Sequence, residues 1–392
     1  MSEWKKVRLG EIANYVNEKI DIKAFDTSLY ISTDSMLKDK GGIGTPESIP
    51  ESGKVTKYQH NDILVSNIRP YFKKIWFSNR EGGCSNDVLV FRANDNIDST
   101  FLYYVLSDDS FFDHMMSSAN GTKMPRGNRK LIPSFEIPLP PLSTQHRIAT
   151  ILSRYDSLIE NYQKQIKLLE EAAQRLYKEW FVDLRFPGHE NTKIVDGVPE
   201  GWENKKVKEV CDTTSGGTPS RSKTEFYTGD ILWVKTKELN DDFIFDTEEK
   251  ITEDAIRNSS AKMVPSGSIL MAMYGATIGK LGIATKELSC NQACCVFLLP
   301  EDSTLRLYLY NWLLNSRTLL ISMGKGAAQP NLSQDMIKNL EVVVPSSCLL
   351  AKFDSKVKPL YRIMSYHSSQ LRLLTEARDR LLPKLMSGEI EI

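Results

Sequence analysis

The sequence predicts an α+β fold: two pseudo-symmetric strand-rich domains separated by two long helices that form an antiparallel coiled coil. Three observations predict it. An apolar seam runs unbroken through Ile148, Leu152, Tyr155, Ile159, Tyr162, Ile166, Leu169, Ala173, Leu176 and Trp180. The seam returns 205 residues later as Phe353, Val357, Leu360, Met364, His367, Leu371, Leu374, Arg378, Leu381 and Leu385. Each seam follows a matching series of short β-type runs punctuated by Gly, Asn and Pro.

The 4-3 spacing of the seam suits only a helix with one apolar face, and a face repeating every seven residues is a coiled-coil seam. No Pro or Gly interrupts Ser143–Val182. Roughly 40 helical residues make a rod of about 60 Å. A seam that long needs a partner, because exposed apolar surface aggregates. The second seam supplies it. Gln165–Leu176 (QIKLLEEAAQRL) returns as Gln370–Leu381 (QLRLLTEARDRL). A repeat this long is a duplicated domain plus helix, not a solenoid unit. The expected division is residues 1–142 (first domain), 143–186 (first helix), 187–201 (linker), 202–346 (second domain) and 347–392 (second helix), with the helices themselves near 143–184 and 348–386. Paired antiparallel, the helices would carry one domain at each end of a rod.

Within the domains, Trp4–Ile12 matches Trp202–Val210, with Leu9 on Val207, Glu11 on Glu209 and Ile12 on Val210. Ser28–Leu37 and Ile231–Leu239 both read as strands entering a loop, with Thr33 and Thr236 at the exits. Asn61–Pro70 matches Gly267–Ala276, and Cys84–Phe91 matches Cys290–Phe297. One short helix is expected in each copy, Phe101–Met116 and Leu305–Met323, and then a glycine-bearing loop, 119–131 and 324–336. A Pro-flanked strand closes each copy. Pro138, Pro140 and Pro141 stop the first, and Ser143 or Thr144 is placed to cap the helix. Pro359 is expected to kink the second helix or delay its start, and Pro383 to end it.

The 392 residues suffice for two or three domains, each with its own core. Fifty basic residues balance fifty acidic ones, which argues against a generic polyanion binder but leaves room for local basic patches. Six cysteines without CxxC spacing read as reduced thiols, not zinc ligands or disulfides. The N-terminus does not read as a signal peptide and no apolar run suits a membrane span, so a cytoplasmic protein is expected.

Two strand-rich domains, each followed by a long helix, the first entered through PLPPLSTQHRIATIL, with KEWFVDLRFPG after the first helix and LLPKLMSGEI after the second, resemble the specificity subunit of a type I restriction–modification enzyme. The resemblance covers essentially the whole chain and is sharpest in the helices. It implies two target-recognition domains, each reading half of a split, asymmetric double-stranded DNA site. It implies two modification subunits, binding S-adenosylmethionine and methylating adenine, docked on the helices, and restriction subunits that use ATP and Mg. The chain itself would need no cofactor and perform no catalysis. The competing readings are an autonomous nuclease or methyltransferase and a plain coiled-coil scaffold.

Phosphates call for Lys, Arg or backbone N–H groups, and base edges for Arg, Lys or short amide and hydroxyl side chains on loops. In the first domain Lys123, Arg126, Asn128, Arg129 and Lys130 form a cationic run without an acid. Asn67, Arg69, Tyr71, Lys73 and Lys74 form a second run, and Lys38 and Lys40 precede a Gly41–Gly42 turn. In the second domain the candidates are Thr218, Ser220, Arg221 and Lys223, then Lys235 and Lys237, then Tyr274, Thr277 and Lys280, and finally Lys325, Gln329, Asn331 and Gln334. The bland reading of any such loop is solvated surface. No Asn/Asp-Pro-Pro-aromatic motif for a flipped adenine occurs, and Gly275–Lys280 lacks phosphate-loop spacing and reads as a glycine turn. Glu248, Glu249, Lys250 and Asp230 read as exposed charge. Tyr177, Leu184 and Phe186 are expected on an outward face, where partner subunits would dock.

Overall fold

The computed structural model describes residues 4–119, 121, 123–324 and 331–390. The chain forms two compact units, Met1–Ile159 with Leu373–Ile392, and Glu160–Arg372.

The first unit contains a four-stranded sheet in the order Ala13–Tyr15, Val88–Ala93, Ile63–Ser66, Ile75–Phe77. A three-stranded sheet runs Lys19–Asp21, Lys54–Tyr58, Gly82–Cys84, and Lys5–Arg8 pairs antiparallel with Glu136–Leu139. The second unit repeats this plan. Its main sheet runs Asp212–Ser215, Cys294–Leu298, Ile269–Ala272, Leu281–Ala284, then Asp242–Ile244. Glu203–Lys206 pairs with Glu341–Val344. Corresponding pairs share a register: Val65 faces Leu89, and Met271 faces Cys295. The central strands, such as Ile63–Ser66 and Ile269–Ala272, are buried at every position, as strands covered on both faces must be.

The first long helix runs Leu142–Tyr177 and ends in a π-helical turn, Lys178–Val182; the second runs Ser347–Ser387. Within the first unit, Ile148 and Leu152 lie in one core with Leu382 and Leu385. Within the second, Ala173 and Trp180 lie in one core with Phe353, Val357 and Met364, and Tyr162 stacks on His367 at 4.7 Å. Rising numbers on one helix meet falling numbers on the other, so the pairing is antiparallel. Seam positions Tyr155, Tyr162, Ile166, Leu169, Leu176, Leu360, Leu371, Leu374 and Leu381 are half-buried, and Ile159 is buried. Each polar seam residue has a role. Arg378 donates to Asp156 at 2.8 Å, and Tyr104 donates to the same carboxylate at 2.6 Å. The pair thereby fixes helix register and ties it to the first sheet unit.

Several expectations need correction. Pro359 neither delays the second helix, which begins twelve residues earlier at Ser347, nor does Pro383 end it. Both prolines are exposed on a helix whose other face is buried, so packing offsets their lost hydrogen bonds. Ser28–Leu37 is not a strand: it makes only isolated bridges, Ile31 to Cys84 and Met36 to Ile43. Asp26 caps a 3₁₀ turn at Thr27–Leu29, and the Ser32 and Ser35 side chains bond neighbouring backbone, which competes with a ladder. Ile231–Val234 is a strand as expected. The single helix of each copy is two: Ser99–Ser107 and Asp109–Ser117, then Leu305–Asn315 and Arg317–Gly324. Asp108, in extended conformation, caps the second of the first pair. The first long helix starts on the Pro141 carbonyl, which accepts from Thr144 and Gln145, so Ser143 and Thr144 lie inside it. Tyr177 and Phe186 do not face outward. They are 4% and 6% exposed, and Leu184 packs against the same core. The aromatics Tyr177, Trp180, Phe181, Tyr308 and Phe353 meet there, with ring centroids 4.8–6.3 Å apart. The outward apolar residues of the helices include Leu142, Leu158, Leu168, Val182, Ile363, Tyr366 and Leu373.

Candidate nucleic-acid interface

In the first unit the predicted loops form one surface because their backbones bond to each other. Arg69 donates its N–H to the Pro125 carbonyl at 2.8 Å, Gly127 to Asn67 at 3.2 Å, and Ile68 bridges Arg126. Asp39 and Lys40 donate to Phe72 and Lys73 at 2.9 and 3.0 Å. Four non-glycine residues here, Asp39, Lys40, Arg69 and Lys73, take left-handed φ near +50° to +60°, as such close loop contacts demand. The turn Ser85–Val88 joins the group through Asn67 N–H to the Asp87 carbonyl, 2.9 Å.

The cationic run is not free of acids in space, as it is in sequence. Arg126 pairs with Asp87 at 3.1 Å, and Arg129 donates to the Asn86 carbonyl. Lys40 and Lys73 both reach Asp109, at 3.1 and 2.7 Å. Burial would raise the Asp109 carboxyl, but hydrogen bonds from Lys73 and Lys40 hold it below its usual range. Lys38 lies over the Phe72 ring at 4.1 Å, and Lys74 donates to the Thr33 carbonyl at 2.6 Å. Lys123 and Lys130 are exposed, and the Lys130 and Asn128 pair closes a local turn. The surface is therefore part neutralised scaffold, part available charge.

The second unit builds the same junction with other side chains. Leu332 donates to Met273 at 2.9 Å, Tyr274 bridges Asn331, and Met273 donates to Ala293 at 2.9 Å. Gly275 and Gly279, at φ +70° and +77°, make the predicted glycine turn between strands Ile269–Ala272 and Leu281–Ala284. Thr277 closes it on the Tyr274 carbonyl, and Gln334 reaches Thr213. Lys280 pairs with Asp241 at 2.6 Å, a carboxylate that Arg317 also contacts. Lys325 and Gln329 lie outside the described residues.

The remaining candidates form a second cluster, joined to this junction where Thr218 bonds Gln292. Arg221 grips Glu249 with both guanidinium nitrogens, at 2.8 and 2.9 Å, and stacks on Tyr227 and Trp233. Lys235 contacts Glu248 and Glu249, and Lys237 contacts Glu248. Glu249 is thus an ion-pair hub, not loose surface charge. The Arg221 bond, with Lys235, holds its carboxyl at about 2. Lys223 lies over Phe226, Ser220 bonds Ser222, and Thr218 bonds Gln292. Sequence reasoning missed the organising carboxylates Asp87, Asp109 and Asp241, because each is remote in sequence from the cations it meets. It also passed over Asn86 and Gln292, whose signal was the Cys84–Phe91 match to Cys290–Phe297.

Among the described residues no cluster of His, Cys, Asp or Glu is placed to hold a metal, and no helix is long and apolar enough to cross a membrane. Comparison with known proteins converges on one family. The type I restriction modification DNA specificity domain matches residues 1–171 and 199–348. The HindI specificity subunit of Haemophilus influenzae is 26% identical over the full length of both chains. The MjaIX specificity subunit of Methanocaldococcus jannaschii is 28% identical over 76% of this chain and 70% of its own. The crystal structure of a type I restriction-modification S subunit from M. genitalium superposes with a TM-score of 0.64 at 17% identity, over 98% of this chain and 96% of that one. A strand-rich unit built twice, a loop junction built twice, and a family match covering most of both copies have one meaning: the chain belongs to the DNA specificity subunits of type I restriction–modification enzymes.

Proposed function

We propose that each unit reads one half of a split, asymmetric DNA site, and that the chain confers sequence choice on a methyltransferase and restriction complex. It is the recognition subunit, not the enzyme. The observation that carries the reading is the loop junction present in both copies, cationic in the first and amide- and hydroxyl-rich in the second. Loops zipped by backbone hydrogen bonds hold base-reading side chains in fixed register, which loose surface charge cannot do. Two different junctions read two different half-sites. Residues 1–142 and 202–346 act as target-recognition domains, 143–186 and 347–392 as the spacing helices, and 187–201 as the linker.

Two modification subunits dock on the helices, where Leu168, Ile363, Tyr366 and Leu373 offer apolar anchors in place of the buried Tyr177 and Phe186. Those subunits bring S-adenosylmethionine to adenine; restriction subunits bring ATP and Mg; the assembly works in the cytoplasm on double-stranded DNA. Mapping methylated adenines in the host genome with and without this gene tests the reading. One split, asymmetric motif should vanish when the gene is deleted. Sedimentation of the chain co-expressed with its neighbouring methyltransferase tests docking, and a monomer would end that part.

A further inference from the structure

We infer that Asn86 and Gln292 are equivalent base-reading amides, one for each half-site, in interfaces to which sequence patterns assigned neither. The inference rests on the DNA reading above and adds residues to it.

The two side chains occupy the same place in the two copies. Each follows the cysteine-ended strand by two residues, in a tight turn closed by an i to i+3 backbone bond: Val88 N–H to the Ser85 carbonyl at 2.9 Å, and Cys294 N–H to the Asn291 carbonyl at 3.2 Å. Asn86 and Gln292 each stand at the second position of that turn, and both are exposed. Each turn is tied to the candidate loops by the same bond, Asn67 to Asp87 in one copy and Met273 to Ala293 in the other. Rigid backbone therefore presents an amide at the edge of both loop junctions.

The carboxamides are also oriented. Lys19 donates its ammonium to the Asn86 side-chain oxygen at 2.6 Å. An ammonium has no acceptor, so the oxygen must face it and the NH₂ group must point away. Thr218 donates its hydroxyl to the Gln292 side-chain oxygen. In both copies the free ends are donors; the Asn86 oxygen also accepts from the Thr56 hydroxyl at 3.3 Å, whereas the Gln292 oxygen keeps a second lone pair. That is the form that gives hydrogen bonds to a purine N7 or guanine O6, or, at Gln292 with its spare lone pair, grips adenine at N6 and N7. The surroundings suit a phosphate-lined groove on the first side: Arg126 and Arg129 meet the same turn, through Asp87 and the Asn86 carbonyl.

The experiment uses the assembled methyltransferase, with Asn86→Ala and Gln292→Ala made singly, and duplexes carrying the genomic motif mapped by methylation, varied one base pair at a time. Each variant should relax one position of one half-site, and the two should affect opposite halves. The lost discrimination should be roughly 5- to 150-fold, as for one good base contact. The salt slope should stay at the wild-type value, because no phosphate charge is removed. Unchanged preference at every position in either variant overturns the assignment for that residue. So does a loss of affinity equal on all sequences. A wild-type complex that binds mapped and scrambled duplexes alike overturns the DNA reading itself, and the assignment falls with it.

Discussion

Replacing Lys123, Arg126, Arg129 and Lys130 by Ala should weaken DNA binding in a way that salt reveals. The expected size follows from how each cation is held. Lys123 and Lys130 are exposed, whereas Arg126 shares its charge with Asp87 at 3.1 Å and Arg129 is spent partly on the Asn86 carbonyl. Each cation that neutralises a phosphate contributes about 0.9 to the slope of log K against log salt. If only the two lysines reach phosphate, the slope falls by about 1.8; if all four do, by about 3.6. Between 50 and 200 mM salt each contact changes affinity by about 3.5-fold, so the mutant and wild type should converge by about 12- to 150-fold across that range. The assay is binding of the assembled methyltransferase to specific and scrambled duplexes over a salt series. Asp87→Asn, which releases Arg126, should steepen the slope. A quadruple mutant with the wild-type slope and wild-type base preference would remove this loop from the interface.

Other expectations are structural. Phe353 is fully buried against Tyr177, Trp180 and Phe181, so Phe353→Ala should cost about 3–5 kcal/mol in denaturant unfolding of the second unit. Pro359→Ala should raise the melting temperature, because the proline sits on the exposed side of a continuous helix and forgoes a backbone bond there; removing it returns up to about 3 kcal/mol. The Glu249 carboxyl is depressed from 4.5 to about 2 by Arg221 and Lys235, so its stabilisation is present above pH 4.5 and is lost as pH falls toward 2. Glu249→Gln should flatten that part of the acid-unfolding curve by about 1 kcal/mol, the value reduced because Glu249 is 33% and Arg221 53% exposed to solvent; an acid limb identical to wild type would show the pair contributes nothing.

The duplicated organisation was legible because a seven-residue seam and a 205-residue echo are periodic signals that tertiary context does not erase. Every seam position is at least half-buried. The strand pairs anchored on Cys84 and Cys290 were legible for the same reason. What escaped was set by distance in sequence. Asp109 meets Lys40 and Lys73 across 69 and 36 residues, so a run of cations read alone looked unpaired. Helix boundaries at Asp108 and Pro141 turned on a cap and a carbonyl, which apolar spacing does not encode. Tyr177 looked outward because the seam accounts for one helix face only. The domain core claims a second face, and only packing reveals it.

The ion pairs that brace the two loop junctions have traded signs. In the first unit the acid stands first on the second short helix, at Asp109, and the cations are on the loops; in the second, Arg317 holds that helix position and the loop supplies Asp241. The first arrangement also agrees with the helix dipole, while the second sets a cation against it and leans harder on its loop partner. Copies joined by a common origin have thus become mutually incompatible at this joint. A hybrid that grafts the short helix of one copy into the other would set Asp109 beside Asp241, or Arg317 beside Lys40 and Lys73. An exchange between the two copies must therefore move loop and helix together to keep this joint paired.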